Sequence, residues 1–166
     1  MRAGVAIGSN LGDRLAAMQN ARAAVGLIEG VSGPVVSSSI YETEPIDCEM
    51  NAGKFFNAVI EFEYNADAET LLRDLRAIED AHGRPEKHAR NRSRALDLDL
   101  LYFGHMTLAT DTLQIPHPRM IGRRFVLAPL AEIRPDLVLP GETLTVSGLL
   151  DRLPPGGSVT RQNFTW

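Results

Sequence analysis

Leu15, Met18, Ala21, Val25 and Ile28 recur at steps of three and four residues, which predicts a helix with one stripe turned to a core. An apolar run over residues 3–8 precedes it, reads as a strand, and ends in Gly8-Ser9-Asn10-Leu11-Gly12-Asp13, a cluster of turn and cap formers. Gly30 to Pro34 stop the helix. Val35 to Tyr41, rich in β-branched residues and serines, predicts a second strand that leads into Glu42-Thr43-Glu44-Pro45, where proline ends regular pairing. Residues 46–54 show no periodicity and read as a surface loop, a place where function often sits.

Phe55 to Tyr64 alternates. Phe56, Ala58, Ile60, Phe62 and Tyr64 form a core face, and Phe55, Asn57, Val59, Glu61 and Glu63 form a face expected to be at least partly open. Asp67 is placed to cap a helix with the stripe Leu71, Leu72, Leu75 and Ile78, ending at Gly83. Alternation returns in Leu96-Asp97-Leu98-Asp99-Leu100-Leu101-Tyr102-Phe103, where Leu96, Leu98, Leu100 and Tyr102 are expected on the core side and Asp97 and Asp99 on the other.

The order strand, helix, strand, strand, helix, strand predicts an α+β fold: a ferredoxin-like βαββαβ core with both helices on one face of an antiparallel sheet. The other face is left for loops and ligands. Residues 104–166, broken by prolines, form a C-terminal extension with helices expected near 121–132 and 146–152. No repeat or long linker divides the chain, so a single domain over 1–166 is expected.

Composition narrows the functional classes. At 44% hydrophobic and 23% charged, the sequence is that of an ordinary globular domain. Cys48 is the single cysteine, which excludes an internal disulfide and a thiolate metal cage and suits a reducing compartment. No apolar run approaches a membrane span, and the first residues run directly into a strand, so a cytoplasmic protein without membrane association is expected. A net charge of −4 argues against a nucleic-acid partner. The charge is unevenly spread: residues 84–94 carry +4, leaving −8 elsewhere, and a small basic segment on an acidic protein suits a compact polyanion such as a nucleotide.

Two carboxylates at i and i+2 of a strand project the same way and can jointly grip a hard cation, for which Mg²⁺ is the obvious candidate because it completes its shell with water and phosphate oxygens. Beside Asp97 and Asp99 lies Arg90-Asn91-Arg92-Ser93-Arg94, whose guanidinium forks match phosphate oxygens. Mutual charge balancing accounts for one or two of these arginines, less easily for the whole set with Arg84 and Lys87. Gly8-Ser9-Asn10-Leu11-Gly12 lacks the Gly-Lys-Ser/Thr ending of a phosphate-cradling loop, so metal and arginines are left to hold a nucleotide.

Taken in order, Ala6-Ile7-Gly8-Ser9-Asn10-Leu11-Gly12-Asp13-Arg14, Tyr41-Glu42-Thr43-Glu44-Pro45, Phe55-Phe56-Asn57-Ala58, Gly83-Arg84, Arg94 through Leu101 and Ile115-Pro116-His117-Pro118 through Leu130 resemble the hydroxymethyldihydropterin pyrophosphokinase family. The resemblance implies an enzyme of folate synthesis in which the hydroxymethyl oxygen of 6-hydroxymethyl-7,8-dihydropterin attacks the β-phosphorus of ATP and AMP leaves. It implies two Mg²⁺ ions at Asp97 and Asp99, phosphates steadied by Arg84 and Arg94 on a lid, and Glu79, His117 and Arg123 along the nucleotide. It further implies a pterin between Phe55 and Phe125, read by Asn57, with Thr43 and Pro45 completing the pocket. A monomer acting on these two small molecules is expected.

The lid departs from the family pattern. Glu86 stands where a basic residue is usual, and Asn91 and Arg92 stand where tryptophan and glycine are usual. Arg92 is expected to compensate by reaching the phosphates. An RNA-binding domain shares the βαββαβ order, but it needs a basic, aromatic sheet face, and here that face presents Asp97, Asp99, Glu61 and Glu63.

Overall fold

The computed structural model describes residues 1–45, 53–82 and 95–166. Its elements run β1 (Arg2–Ser9), α1 (Arg14–Gly26), β2 (Val31–Ser37), β3 (Tyr41–Thr43), β4 (Phe55–Tyr64), α2 (Ala68–Ala81) and β5 (Asp97–Phe103). There follow the short pair β6 (Leu108–Ala109) and β7 (Gln114–Ile115), a 3-10 turn (Met120–Gly122), α3 (Arg124–Ile133), α4 (Val146–Arg152) and β8 (Val159–Arg161). The main sheet has the order β5-β1-β4-β3-β8, with β2 also on β4, and all its pairings are antiparallel. With β2 and β3 sharing one position beside β4, this is the expected βαββαβ arrangement, to which β8 adds an edge strand that periodicity did not reveal.

Both predicted caps form: Asp13 Oδ1 accepts from Ala16 N at 3.0 Å and Asp67 Oδ1 from Thr70 N at 2.8 Å. Met18, Ala21 and Val25 of α1 and Leu71 and Leu75 of α2 are fully buried against Val5, Ile60 and Phe62 of the sheet. Each of the larger side chains among these contributes about 1.5–3 kcal/mol, enough in sum to fix the helix layer. No helix among the described residues is long and apolar enough to cross a membrane.

Three expectations need correction. The strand expected over 35–41 begins at Val31 and breaks between Ser37 and Tyr41. The cause is Ser38: its N–H donates to Val59 O at 2.9 Å, but its Oγ, in place of a carbonyl, accepts from Val59 N at 3.0 Å. A side chain thus takes over a rung of the ladder.

Tyr102 does not share the side of Leu100. The pairing of β5 with β1 shifts between Gly4 and Val5, so Leu101 and Tyr102 both oppose the helix layer and Phe103 returns to it. Gly4 is required by this bulge, because a Cβ there would stand 2.1 Å from the Tyr102 ring.

The second face is also less open than expected. Val59, Leu101 and Tyr102 pack with Met120, Val126, Leu127 and Leu130 in a second apolar cluster, so α3 and α4 cover the middle of that face. Glu61, expected near solvent, is 5% exposed there, accepting from the Tyr102 hydroxyl and from Arg134 Nη1 at 2.9 Å. The end of the sheet near Gly8, where Asn57 and Asp97 lie, stays outside this cluster.

Candidate active site

Register across the sheet assembles the polar end. Gly8 of β1 pairs with Asp97 of β5 on one side and Asn57 of β4 on the other, and Asn57 pairs with Tyr41 of β3. A Cβ on Gly8 would lie 3.4 Å from Asn57 Oδ1 and 3.9 Å from Asp97 Cβ, so the missing side chain leaves a notch between amide and carboxylate. Two residues along, Asp99 pairs with Ala6. Small residues on the central strand therefore make a floor between the aspartates and Asn57.

On the β3 side, Thr43 pairs with Phe55, and Asn57 Nδ2 donates to Thr43 Oγ1 at 2.7 Å. Asn57 and Thr43 are both buried, and Phe55 is half-buried. Because one amide hydrogen is committed to Thr43, the Asn57 amide is oriented with Oδ1 toward the notch. Pro45, two residues beyond Thr43, is half-buried.

Strand β5 lies at the sheet edge, and its backbone needs an outside acceptor. Glu79 of α2, 2% exposed, supplies one: its Oε1 accepts from Leu98 N at 2.8 Å, between the two aspartates. The structure thus places Glu79 in the helix layer, holding the strand that carries Asp97 and Asp99.

His117, which follows the cis Ile115–Pro116 bond, is tied to β5 by its own N–H, which donates to Leu101 O at 2.8 Å. Its Nδ1 accepts from Arg119 N at 3.3 Å, so the neutral ring carries its proton on Nε2. Burial holds the Asp99 carboxyl above the usual carboxylate range; Asp97 pushes the same way, and His117, Arg123 and Arg119 oppose them. Burial also lowers the His117 imidazole, against the pull of Asp99. Asp97, Asp99, His117, Arg119 and Arg123 therefore share one electrostatic neighbourhood.

Phe125 lies in the first turn of α3, with the Arg123 guanidinium 5.4 Å from its ring centre. Both border a cavity of about 610 Å³ that Arg119, Ile121 and Leu153 also line. Arg84, Arg92 and Arg94 lie outside the described residues. Sequence reasoning missed Gly8 as a floor and Arg119 as a charge near Asp99. The second could have been suspected from the basic residue that follows Ile115-Pro116-His117-Pro118.

Among the described residues no group of three or more histidine, cysteine or acidic side chains could enclose a metal ion. Two mutually repelling carboxylates suit a cation that draws most of its ligands from water and phosphate, as Mg²⁺ does, rather than a zinc or calcium cage.

A family model described as 7,8-dihydro-6-hydroxymethylpterin-pyrophosphokinase (HPPK) matches residues 4–135. The chain belongs to the HPPK family. The matched stretch runs from β1 through α3 and includes every residue of the site described above except Leu153. The chain is 41% identical to the 2-amino-4-hydroxy-6-hydroxymethyldihydropteridine pyrophosphokinase of Bacillus subtilis over 131 residues, 78% of this chain and 75% of that protein. It is 33% identical to the folic acid synthesis protein FOL1 of Dictyostelium discoideum over 155 residues, 93% of this chain but 23% of that protein. The chain thus spans about a quarter of that longer relative. Among solved structures, Plasmodium falciparum HPPK-DHPS with pteroate superimposes at a TM-score of 0.70 with 14% identity, covering 91% of this chain and 42% of that one. At that identity the likeness concerns the fold.

Proposed function

We propose that this HPPK-family chain transfers a diphosphate from ATP to the hydroxymethyl group of 6-hydroxymethyl-7,8-dihydropterin, a step of folate synthesis. The observation that carries the reading is the Asp97–Gly8–Asn57 row, which with Asp99 opposite Ala6 sets a carboxylate pair beside an oriented amide across a floor of small residues.

In this reading Asp97 and Asp99 hold two Mg²⁺ ions, which when bound supply charge neutralisation for the triphosphate. His117 and Arg123 lie along the nucleotide, and Glu79 keeps β5 in place behind the aspartates. Arg84, Arg92 and Arg94 would add cations to the phosphates. Asn57 Oδ1 accepts from the donor-rich edge of the pterin, Thr43 fixes the amide, and Phe55 and Phe125 flank the ring, with Pro45 closing the rim. The alcohol oxygen is thereby aimed at the β-phosphorus. The new bond joins that oxygen to the β-phosphorus and its hydroxyl proton is lost to solvent, while the bridge to the α-phosphate breaks and AMP leaves with that bridging oxygen.

The test is a product assay with ATP, Mg²⁺ and the reduced pterin alcohol. AMP and a pterin diphosphate are expected in equal amounts. Nucleotide that stays intact would instead mark a binding module built on the same fold.

A further inference from the structure

Arg14 opens α1, where a cation opposes the helix dipole. Its contacts account for a charge at that unfavourable place. Arg14 Nη1 donates to Lys54 O at 2.8 Å, Nη2 donates to Glu42 Oε2 at 3.1 Å, and Cζ sits 3.8 Å from the centre of the Phe56 ring. Lys54 Nζ reaches Glu44 Oε1 at 3.0 Å and Glu42 Oε1 at 3.7 Å, which closes a network around the same two strands.

Each contact lies one residue from the pocket. Glu42 precedes Thr43, Lys54 precedes Phe55, and Phe56 stands between Phe55 and Asn57. Alternation turns Phe56 to the helix layer and its neighbours to the other face, so Arg14 grips the strands from behind. The grip matters because β3 is three residues long, lies between the paired strands β4 and β8, and is followed by no regular structure among the described residues before β4. A planar guanidinium can span a carbonyl, a carboxylate and a ring at once, whereas an ammonium can satisfy only part of that set.

We propose that Arg14 is a positioning residue for the pterin pocket, fixing Thr43 against Phe55 and Asn57 without touching substrate. The inference rests on the pterin site proposed above. Its loss should let the Thr43–Asn57 pair drift, at a cost to pterin binding and little to the nucleotide side on β5.

The experiment compares wild type, Arg14→Ala, Arg14→Lys and Asn57→Ala, measuring pterin KM, kcat, ATP affinity and thermal midpoint. Arg14→Ala should raise pterin KM about tenfold with kcat and ATP affinity nearly unchanged, and Arg14→Lys should recover part of the loss. In the Asn57→Ala background, Arg14→Ala should add much less than it does alone, because the group it positions is gone. A lower midpoint with unchanged pterin KM would overturn the proposal, as would equal losses for pterin and ATP. If Arg14→Ala does not fold, Arg14→Lys and Glu42→Gln carry the same comparison. Should Asn57→Ala leave pterin binding intact, the pterin site itself is misassigned. Should Asn57→Ala weaken it and neither Arg14 variant do so, only the role of Arg14 fails.

Discussion

Asp97 and Asn57 flank Gly8 in one row of the sheet, and a Cβ on Gly8 would fall 3.4 Å from Asn57 Oδ1. That distance is ordinary contact, so Gly8→Ala should fold and retain part of its turnover. The two further carbons of Gly8→Val must enter the notch between amide and carboxylate. Turnover should then fall at least about a hundredfold while unfolding stays cooperative, since misplacement of about 1 Å costs that much. Steady-state kinetics with a thermal melt for each variant checks the pair.

Asp99 gives a prediction of opposite sign for stability and ligand response. Burial and Asp97 hold its carboxyl above the usual range, so folding favours the protonated form. Any contribution of that group is in place at acid pH and is lost as pH rises through the folded value; at neutral pH the buried charge opposes folding. Asp99→Asn should therefore raise the thermal midpoint of metal-free protein at pH 7. Saturating Mg²⁺ and ATP should stabilise wild type by about 2.7 kcal/mol at a hundredfold excess over Kd. The variant should lose most of that increment. A midpoint that drops without metal, or a full ligand shift, would contradict the assignment.

Glu61 is buried against Arg134 and Tyr102. Arg134→Met leaves its carboxylate with fewer partners and should cost about 3 kcal/mol, the lower end for a broken buried pair because Arg134 itself is part-exposed. Glu61→Gln in the same chain removes the stranded charge and should recover much of the loss. Denaturant unfolding of the two single variants and the double variant tests this, and simple additivity would be the contrary result.

Tyr41 sets a limit on the alkaline side. Burial, with Glu132 beside the hydroxyl, pushes its phenol up to about 12 from an ordinary value of 10.0. The folded state keeps its proton where the unfolded state has lost it, so stability is full below pH 10 and falls as pH rises toward about 12. Tyr41→Phe should lower the midpoint at pH 8 by losing the 3.0 Å bond to Glu132, and should flatten the decline above pH 10. Melts across that range decide it.

Much of this architecture is legible in the chain. The stripe from Leu15 to Ile28 and the alternation from Phe55 to Tyr64 report where elements lie and which side chains face the helix layer, and the structure begins and ends β4 at those residues. The Asp97–Asp99 pair is legible for the same reason. What stays hidden depends on partners far away in sequence. Tyr102 reads as a continuation of the Leu96–Leu100 stripe because a bulge against Gly4 leaves no local mark. Glu61 reads as solvent-facing because the cover provided by α3 and Arg134 comes 73 residues later. Strand β8 has only three residues, too few for a period, and is fixed by pairing with β3 and by anchors after it, where Trp166 Nε1 donates to Ser38 O at 2.8 Å.

Transfer of an intact diphosphate is the central claim, and the fate of the two outer phosphorus atoms of ATP tests it most directly. ATP labelled at the β-phosphorus and ATP labelled at the γ-phosphorus are supplied in separate reactions with Mg²⁺ and 6-hydroxymethyl-7,8-dihydropterin. Both labels should appear in the pterin product in equal yield, with unlabelled AMP beside it. A pterin product that carries the γ label alone, with the β label retained in ADP, would show single phosphoryl transfer and contradict the account.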